Sequence, residues 1–298
     1  MMKDRFRSLW PIFLLLYVVG YPEWEAFSQE GKSFLWKVQS GASTVYILGS
    51  IPCLRKEDFP LSPKIESAFE QSDFLVVERD IQDQGKMGVQ KIMEKASYPP
   101  NESIAEHLSQ ETYEFLKVEA AKLGLPLDLI NRQRPWFWSV ALEAMELMKL
   151  GYDPGYGLNN YFLSKAKVRK RVLELEGLDG LLNLLSNLSA QDQELLLILS
   201  LKDLQNLAQE IDKLVQAWKT GDTKGMEPIV TKSVREDPKL VSIYEKFIDE
   251  RNRRMASKIE DYLRENGTHF VVVGARHLIG EKGIVEILRK KGVRVEQL

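Results

Sequence analysis

Apolar positions follow two rhythms along this chain: short runs of strand type near both ends, and a 3.6-residue repeat through the middle. The stretch "SFLWKVQSGASTVYILGSI" predicts a hairpin, with a strand from Phe34 to Val38, a turn at Ser40-Gly41, and a strand from Thr44 to Leu48. "PLSPKIESAFEQSD" follows with Pro63 in its first turn and Ile65, Ala68 and Phe69 at helical spacing, so a helix is expected there. "FLVVERD" (Phe74 to Asp80) is the short apolar run of a strand buried on both faces. The C-terminus repeats the layout: a strand from Thr268 to Val273, a glycine-rich loop, a helix from Gly283 to Lys290, and a strand from Val293 to Gln297.

Between these ends, from about residue 101 to 263, the pattern is helical. "SIAEHLSQETYEFLKVEAAKLG" has a capping serine and stops at Gly124, and "RPWFWSVALEAMELMKLGYD" starts on Pro135 and stops at Gly151. "LLNLLSNLSAQDQELLLILSLKDLQNLAQEIDKLVQAWKTGD" supplies two or three helices, and "LVSIYEKFIDERNRRMASKIEDYLREN" one long amphipathic helix. One strand, Arg171 to Leu175, interrupts this region and ends on Glu176. The expected fold is therefore α/β, with two strand–loop–helix–strand units forming a central mixed sheet and a large helical insertion between them. In both units a G-x-x-x segment follows the first strand, which puts its fourth residue at the carboxyl edge of the sheet, where open α/β sheets bind ligands.

Composition narrows the function classes. The 298 residues are 44% hydrophobic and 28% charged with a net charge of −2, so no basic face argues for nucleic acid. The local basic cluster "KAKVRKR" reads as a solvated helix face or strand edge, and a second, "ERNRRM", is taken up with the candidate residues below. The N-terminus has a basic start "MMKDRFR", an apolar run "SLWPIFLLLYVVGY", and "AFS" before Gln29. That is the layout of a secretory signal peptide covering residues 1–28, followed by a domain over 33–298. Export to a periplasmic or extracellular space is expected, with an uncleaved membrane anchor as the alternative. Cys53 is the lone cysteine, so no intrachain disulfide forms and the core must hold the fold.

Few residues offer chemistry. Of three histidines, His277 lies in Gly274-Ala275-Arg276-His277, with Gly280 and Gly283 beyond it. It reads either as a metal ligand or general base, or as a cap on the following helix. His107, on an amphipathic helix, and His269, at a strand start, read as structural. Glu78 and Asp80 end a buried strand, where an acid must be paired or coordinated. Glu176 has the same setting. Arg251 and Asn252 in "DERNRRM" either point into a cleft lined by these carboxylates or belong to a charged helix surface. Walker loops, CxxC pairs, HExxH and Ser–His–Asp arrangements are absent from the sequence.

Taken in order, "FLWKVQSGASTVYILGSI", "FPLSPKIESAFEQSDFLVVERD", "NRQRPWFWSVAL", "GYDPGYGLNNYFLSKAK", "LELEGLDGLLNLLSNLSAQDQELLL", "WKTGD", "DERNRRMASKI" and "FVVVGARHLIGEKGIVEILRKKGVRVE" resemble the TraB/GumN family, which includes Tiki-like metal-dependent proteases. The resemblance implies a fold related to erythromycin-esterase and ChaN-like proteins, with two G-x-x-H units paired across a pseudo-two-fold. It implies a manganese or cobalt ion on His277 and Glu78, with Arg251 beside them in the catalytic set. Gly49, Ser50, Glu176, Asn252, Gly274 and Arg276 form the implied binding set for a peptide or small molecule. Asn159 stands where relatives often carry an acid. One position departs: the first motif, Gly49-Ser50-Ile51-Pro52, ends in proline, which has no side-chain donor or acceptor and no N–H. Cys53 next to it is a poor substitute, because a one-residue offset reverses the side-chain direction. Two functions follow from the resemblance, an exported metal-dependent hydrolase or an inactive ligand-binding member.

Overall fold

The computed structural model describes residues 31–41, 43–166 and 169–298, so the proposed signal peptide at 1–28 lies outside the described residues. Six strands form one mixed sheet: β1 (Leu35–Ser40), β2 (Ser43–Ser50), β3 (Phe74–Val77), β4 (Arg171–Glu174), β5 (Thr268–Gly274) and β6 (Arg294–Gln297). The order is β4-β3-β5-β2-β1-β6. β2, β3 and β4 are joined through parallel pairing with β5 and with one another, while β1 runs antiparallel to both β2 and β6.

This order follows from the residues. β2 and β5 are apolar runs buried along almost their whole length, as strands at the middle of a covered sheet must be. They pair in parallel with Gly49 opposite Val273 and Ser50 opposite Gly274. The two glycine-containing loops therefore leave the sheet side by side at the same edge. β3 lies on the other flank of β5, with Val77 opposite Val272, and β4 extends it with Glu174 opposite Val77. Glu78 and Glu176 emerge at the same edge as a consequence, and Glu176 N–H donates to the Glu78 carbonyl at 3.0 Å.

The expected helix after β2 is present as Pro63–Glu70, with Pro63 in the first turn and the Ser62 hydroxyl accepting from Lys64 N–H. Three departures from the sequence reading have physical causes. The helix expected from Ser103 starts instead at Gln110, capped by the Ser109 hydroxyl, and a single 3-10 turn (Ile104–Glu106) precedes it. β3 stops at Val77, because Glu78 turns into an ion-pair cluster rather than continuing the ladder. The long helix across residues 241–262 contains a π turn at Glu245–Asp249 before the segment Glu250–Tyr262. One such turn rotates the following residues relative to an uninterrupted helix. After it, Arg251 and Asn252 are both buried. The insertion packs partly on itself: Leu116, Ile130, Trp138, Leu142, Leu197 and Leu201 make one apolar cluster apart from the main core.

The loop after β2 is held by long-range hydrogen bonds to its carbonyls. The Trp218 indole donates to the Gly49 carbonyl at 2.7 Å, Leu158 N–H to the Ile51 carbonyl at 3.3 Å, and Asp153 N–H to the Leu54 carbonyl at 3.0 Å. Gly157 lies so close that a Cβ there would sit 2.2 Å from the Pro52 carbonyl oxygen. Gly157→Ala must push the loop aside and is expected to lower stability by about 1–3 kcal/mol, as overpacking does. Gly180, on helix Leu178–Ser186, has nothing within 4 Å of its added Cβ. Gly180→Ala is expected to raise stability by up to about 1 kcal/mol. Urea midpoints of the two variants against wild type check both signs.

Candidate functional site

Four charged groups meet where β3, β4 and helix Glu250–Tyr262 converge. Arg251 Nε donates to both oxygens of Glu176, at 3.0 and 2.9 Å, and its Nη2 reaches Glu176 Oε2 at 2.6 Å and Glu78 Oε2 at 2.7 Å. Arg251 Nη1 donates to the Phe247 carbonyl at 3.1 Å. Arg79 Nη2 adds a second guanidinium on Glu78 Oε2 at 2.8 Å. Gly274 N–H, at the end of β5, donates to Glu78 Oε1 at 2.7 Å. Burial raises the Glu78 carboxyl, but His277 (when charged), Arg79, Arg251 and the Gly274 N–H outweigh it and bring it down to about 2. Glu78 is thus a carboxylate at any ordinary pH, with both oxygens engaged.

His277 sits beside this cluster and is 5% exposed. Asn252 sets its state. The Asn252 amide donates from Nδ2 to the Lys282 carbonyl at 2.9 Å, which leaves Oδ1 facing His277 Nδ1 at 2.7 Å. By this network Nδ1 carries the proton and Nε2 is an acceptor that makes no hydrogen bond among the described residues. Burial drives the imidazole down to about 4, Glu78 pulling the other way and Arg251 adding to the fall. His277 is therefore neutral near pH 7.

A cavity of about 510 Å³ opens at this edge, a volume typical of small-molecule sites. Its floor carries Ser50, Pro52, Arg251, Gly274, Arg276 and His277, and its walls are mostly apolar side chains of the insertion helices, with Glu143 and Asp203 among them. The two loops expected from the sequence to face each other do so here. Cys53 instead points into the main core, and its thiol is pushed up to about 11 by burial and by Glu143 and Asp153. Gly49 is closed off by the Phe34 ring. Asn159 stands on helix Leu158–Ala166, and Asp80 N–H donates to Glu174 at 2.5 Å. His107 stacks on Tyr98, and His269 is sandwiched between Phe74 and Tyr262.

Two cavity residues escaped the sequence reading, Glu143 on helix Pro135–Lys149 and Asp203 at the end of helix Ala190–Asp203. Glu143 is open to the cavity, yet protein crowds it: burial pushes its carboxyl up, with Arg276 opposing. Asp203 is raised to about 6 by burial, Glu210 and Glu143, against Lys232 and Arg276. A signal existed in the periodicity. Ser139, Glu143 and Leu147 recur every four residues on one helix face, so Glu143 is a carboxylate on a stripe that turns inward.

The sequence profile of the TraB/PrgY/gumN family matches residues 34–297, nearly all of the described chain. The chain belongs to the TraB/PrgY/gumN family. It is 25% identical over 246 residues to the uncharacterized protein YbaP of Escherichia coli K12, covering 82% of this chain and 87% of that protein. It is 23% identical over 273 residues to an uncharacterized protein of Treponema pallidum, covering 86% of this chain and 80% of that one. No solved structure gives a match.

The metal implied by resemblance to the Tiki-like members of this TraB family can be tested against the donors present. Glu78 has its oxygens on a peptide N–H and two guanidiniums, and Glu176 is held by Arg251. Pro52 contributes no donor, and Cys53 is a buried thiol. His277 Nε2 is left as a single free ligand atom, and among the described residues no three His, Cys, Asp or Glu side chains stand together as a metal site requires. This donor set does not fit a divalent metal.

Arg251→Met removes the cation that two buried carboxylates share, leaving Glu78 on Arg79 and Glu176 with only the more distant Arg79 and Arg254. It is expected to cost about 3 kcal/mol in urea denaturation. A pH effect isolates His277. Its folded value, about 4, lies below the ordinary 6.5, so its stabilising contribution is whole above 6.5 and is lost as pH falls toward 4. The stability difference between wild type and His277→Gln should therefore shrink over that window. The Glu78 contribution is whole above 4.5 and fades as pH drops toward 2.

Proposed function

We propose that this TraB-family protein is a ligand-binding member that takes a small amphipathic molecule into the cavity at the sheet edge and does not run metal-dependent hydrolysis there. The observation that carries the reading is the state of the edge carboxylates. Both are neutralised by guanidiniums, while the space beside them is open, apolar-walled and large enough for a small ligand. Arginine pairing makes the edge a rigid floor rather than a coordination sphere. Export belongs to the same proposal and rests on the three-part N-terminal sequence.

A hydrolytic reading has one observation in its favour: Asn252 fixes the His277 tautomer with Nε2 free, as a general base requires. Against it stands the proton affinity of that nitrogen. A base near 4 takes a proton weakly at neutral pH, far from the match that gives efficient proton transfer.

Three measurements separate these readings: Mn²⁺ and Co²⁺ titration, peptide cleavage, and binding of the amphipathic anionic dye ANS, on wild type, Pro52→His, His277→Ala and Leu199→Trp. Wild type should show no tight metal binding and no turnover. It should bind the dye saturably, and Leu199→Trp, which fills the cavity wall, should reduce that signal several-fold. Tight metal binding by wild type, with cleavage that disappears in His277→Ala, would overturn the proposal.

A further inference from the structure

The cavity has two polar poles that the edge cluster does not use. Arg276 projects from the loop after β5, and Glu143 and Asp203 face it from two insertion helices. Arg276 acts electrostatically on both carboxylates, yet among the described residues it comes within 4 Å of neither, so no ion pair closes the gap. Opposite charges held apart across an open space leave room for a group between them. His277 supplies the second, independent sign of a ligand. Its side chain, 5% exposed, lines the same space with Nδ1 held by Asn252 Oδ1, and its Nε2 makes no hydrogen bond among the described residues.

We propose that the cavity binds a small zwitterion with an apolar body, of the free apolar α-amino acid type: its ammonium placed on Glu143 and Asp203, its carboxylate on Arg276, and its side chain against the leucine-rich walls. The proposal rests on the ligand-binding reading above and names its ligand class.

The chemistry of the lining selects this class over others. Glu143 and Asp203 are acceptors, so the ligand must bring N–H or O–H donors to that end. An ammonium has three donors and carries the charge that two carboxylates call for. Arg276 is the one cavity cation that lacks an ion pair among the described residues, since Arg251 is committed to Glu78 and Glu176. A single guanidinium facing two carboxylates suits one carboxylate and repels phosphates or polyanions. The walls include Leu147, Leu185, Leu196, Leu199, Val230 and Ile243, which favour a branched aliphatic side chain over a sugar. The raised carboxyl groups of Glu143 and Asp203 agree with a site short of a cation. Asp203 also feels Glu210 and Lys232, but these two pair with each other at 2.5 Å.

Calorimetric titration with three probes tests the assignment: L-leucine, L-leucinamide (amine without carboxylate) and 4-methylpentanoate (carboxylate without amine). Leucine should bind about tenfold or more tighter than either single-headed probe, as one charge-assisted contact is worth. Glu143→Gln and Asp203→Asn should weaken leucine and leucinamide and leave 4-methylpentanoate unchanged. Arg276→Gln should weaken leucine and 4-methylpentanoate and leave leucinamide unchanged, with circular dichroism confirming that each variant is folded. The proposal is overturned if a single-headed probe matches leucine, or if folded variants weaken all three probes equally. Failure of all three probes with ANS binding intact rejects the zwitterion and keeps the ligand-binding function. Failure of the dye as well rejects both.

Discussion

Arg251 is the group on which the sheet edge depends. Glu78 and Glu176 end neighbouring strands and are almost fully buried, and two carboxylates so placed would repel one another if either lost its cation. One planar guanidinium bridges them, with Arg79 as a second partner for Glu78. Lysine has no such fork, so the geometry demands arginine. The bridge ties the insertion, through helix Glu250–Tyr262, to the carboxyl ends of β3 and β4. It also leaves Asn252, the next residue, to hold His277.

This arrangement decides what the site can do. A carboxylate that accepts from two guanidiniums and a peptide N–H is ionised, but three of its roughly four lone-pair sites are already taken. The neutral imidazole beside it faces the cavity with a bare acceptor. In the proposed reading the edge supplies recognition, a fixed set of donors and acceptors beneath a largely apolar roof, rather than an electrophile or a strong base. Pro52 is consistent with that role. Its loop is anchored by Trp218, Leu158 and Asp153, and Gly157 packs directly on its carbonyl, so the position is built into the scaffold although no side-chain chemistry remains there.

Much of the fold was legible in the residues. All six strands lie close to where apolar runs and turn residues put them, and the central ones, β2, β3 and β5, are the clearest because a strand buried on both faces cannot tolerate a polar interruption. The glycine loops at the sheet edge and the acidic strand ends were legible for the same reason. What periodicity missed was the phase of helix 241–262: a π turn leaves no apolar signature, yet it accompanies the burial of Arg251 and Asn252, which spacing alone had left equally readable as surface charge. Glu143 was overlooked because a carboxylate on an otherwise apolar stripe looks like surface until the space it faces is known.

Sequence by itself determined the α/β class, the helical insertion, the family likeness and the loss of a donor at Pro52, since each depends on local pattern or residue chemistry. Tertiary structure alone decided the pairing of charges. Glu78, Glu176 and Arg251 are separated by up to 173 residues along the chain, and whether a buried carboxylate meets a metal, a histidine or a guanidinium depends on which strands and helices end beside it. Contacts of that separation are set by the sheet order and by helix phase, and neither is written in the residues that make them.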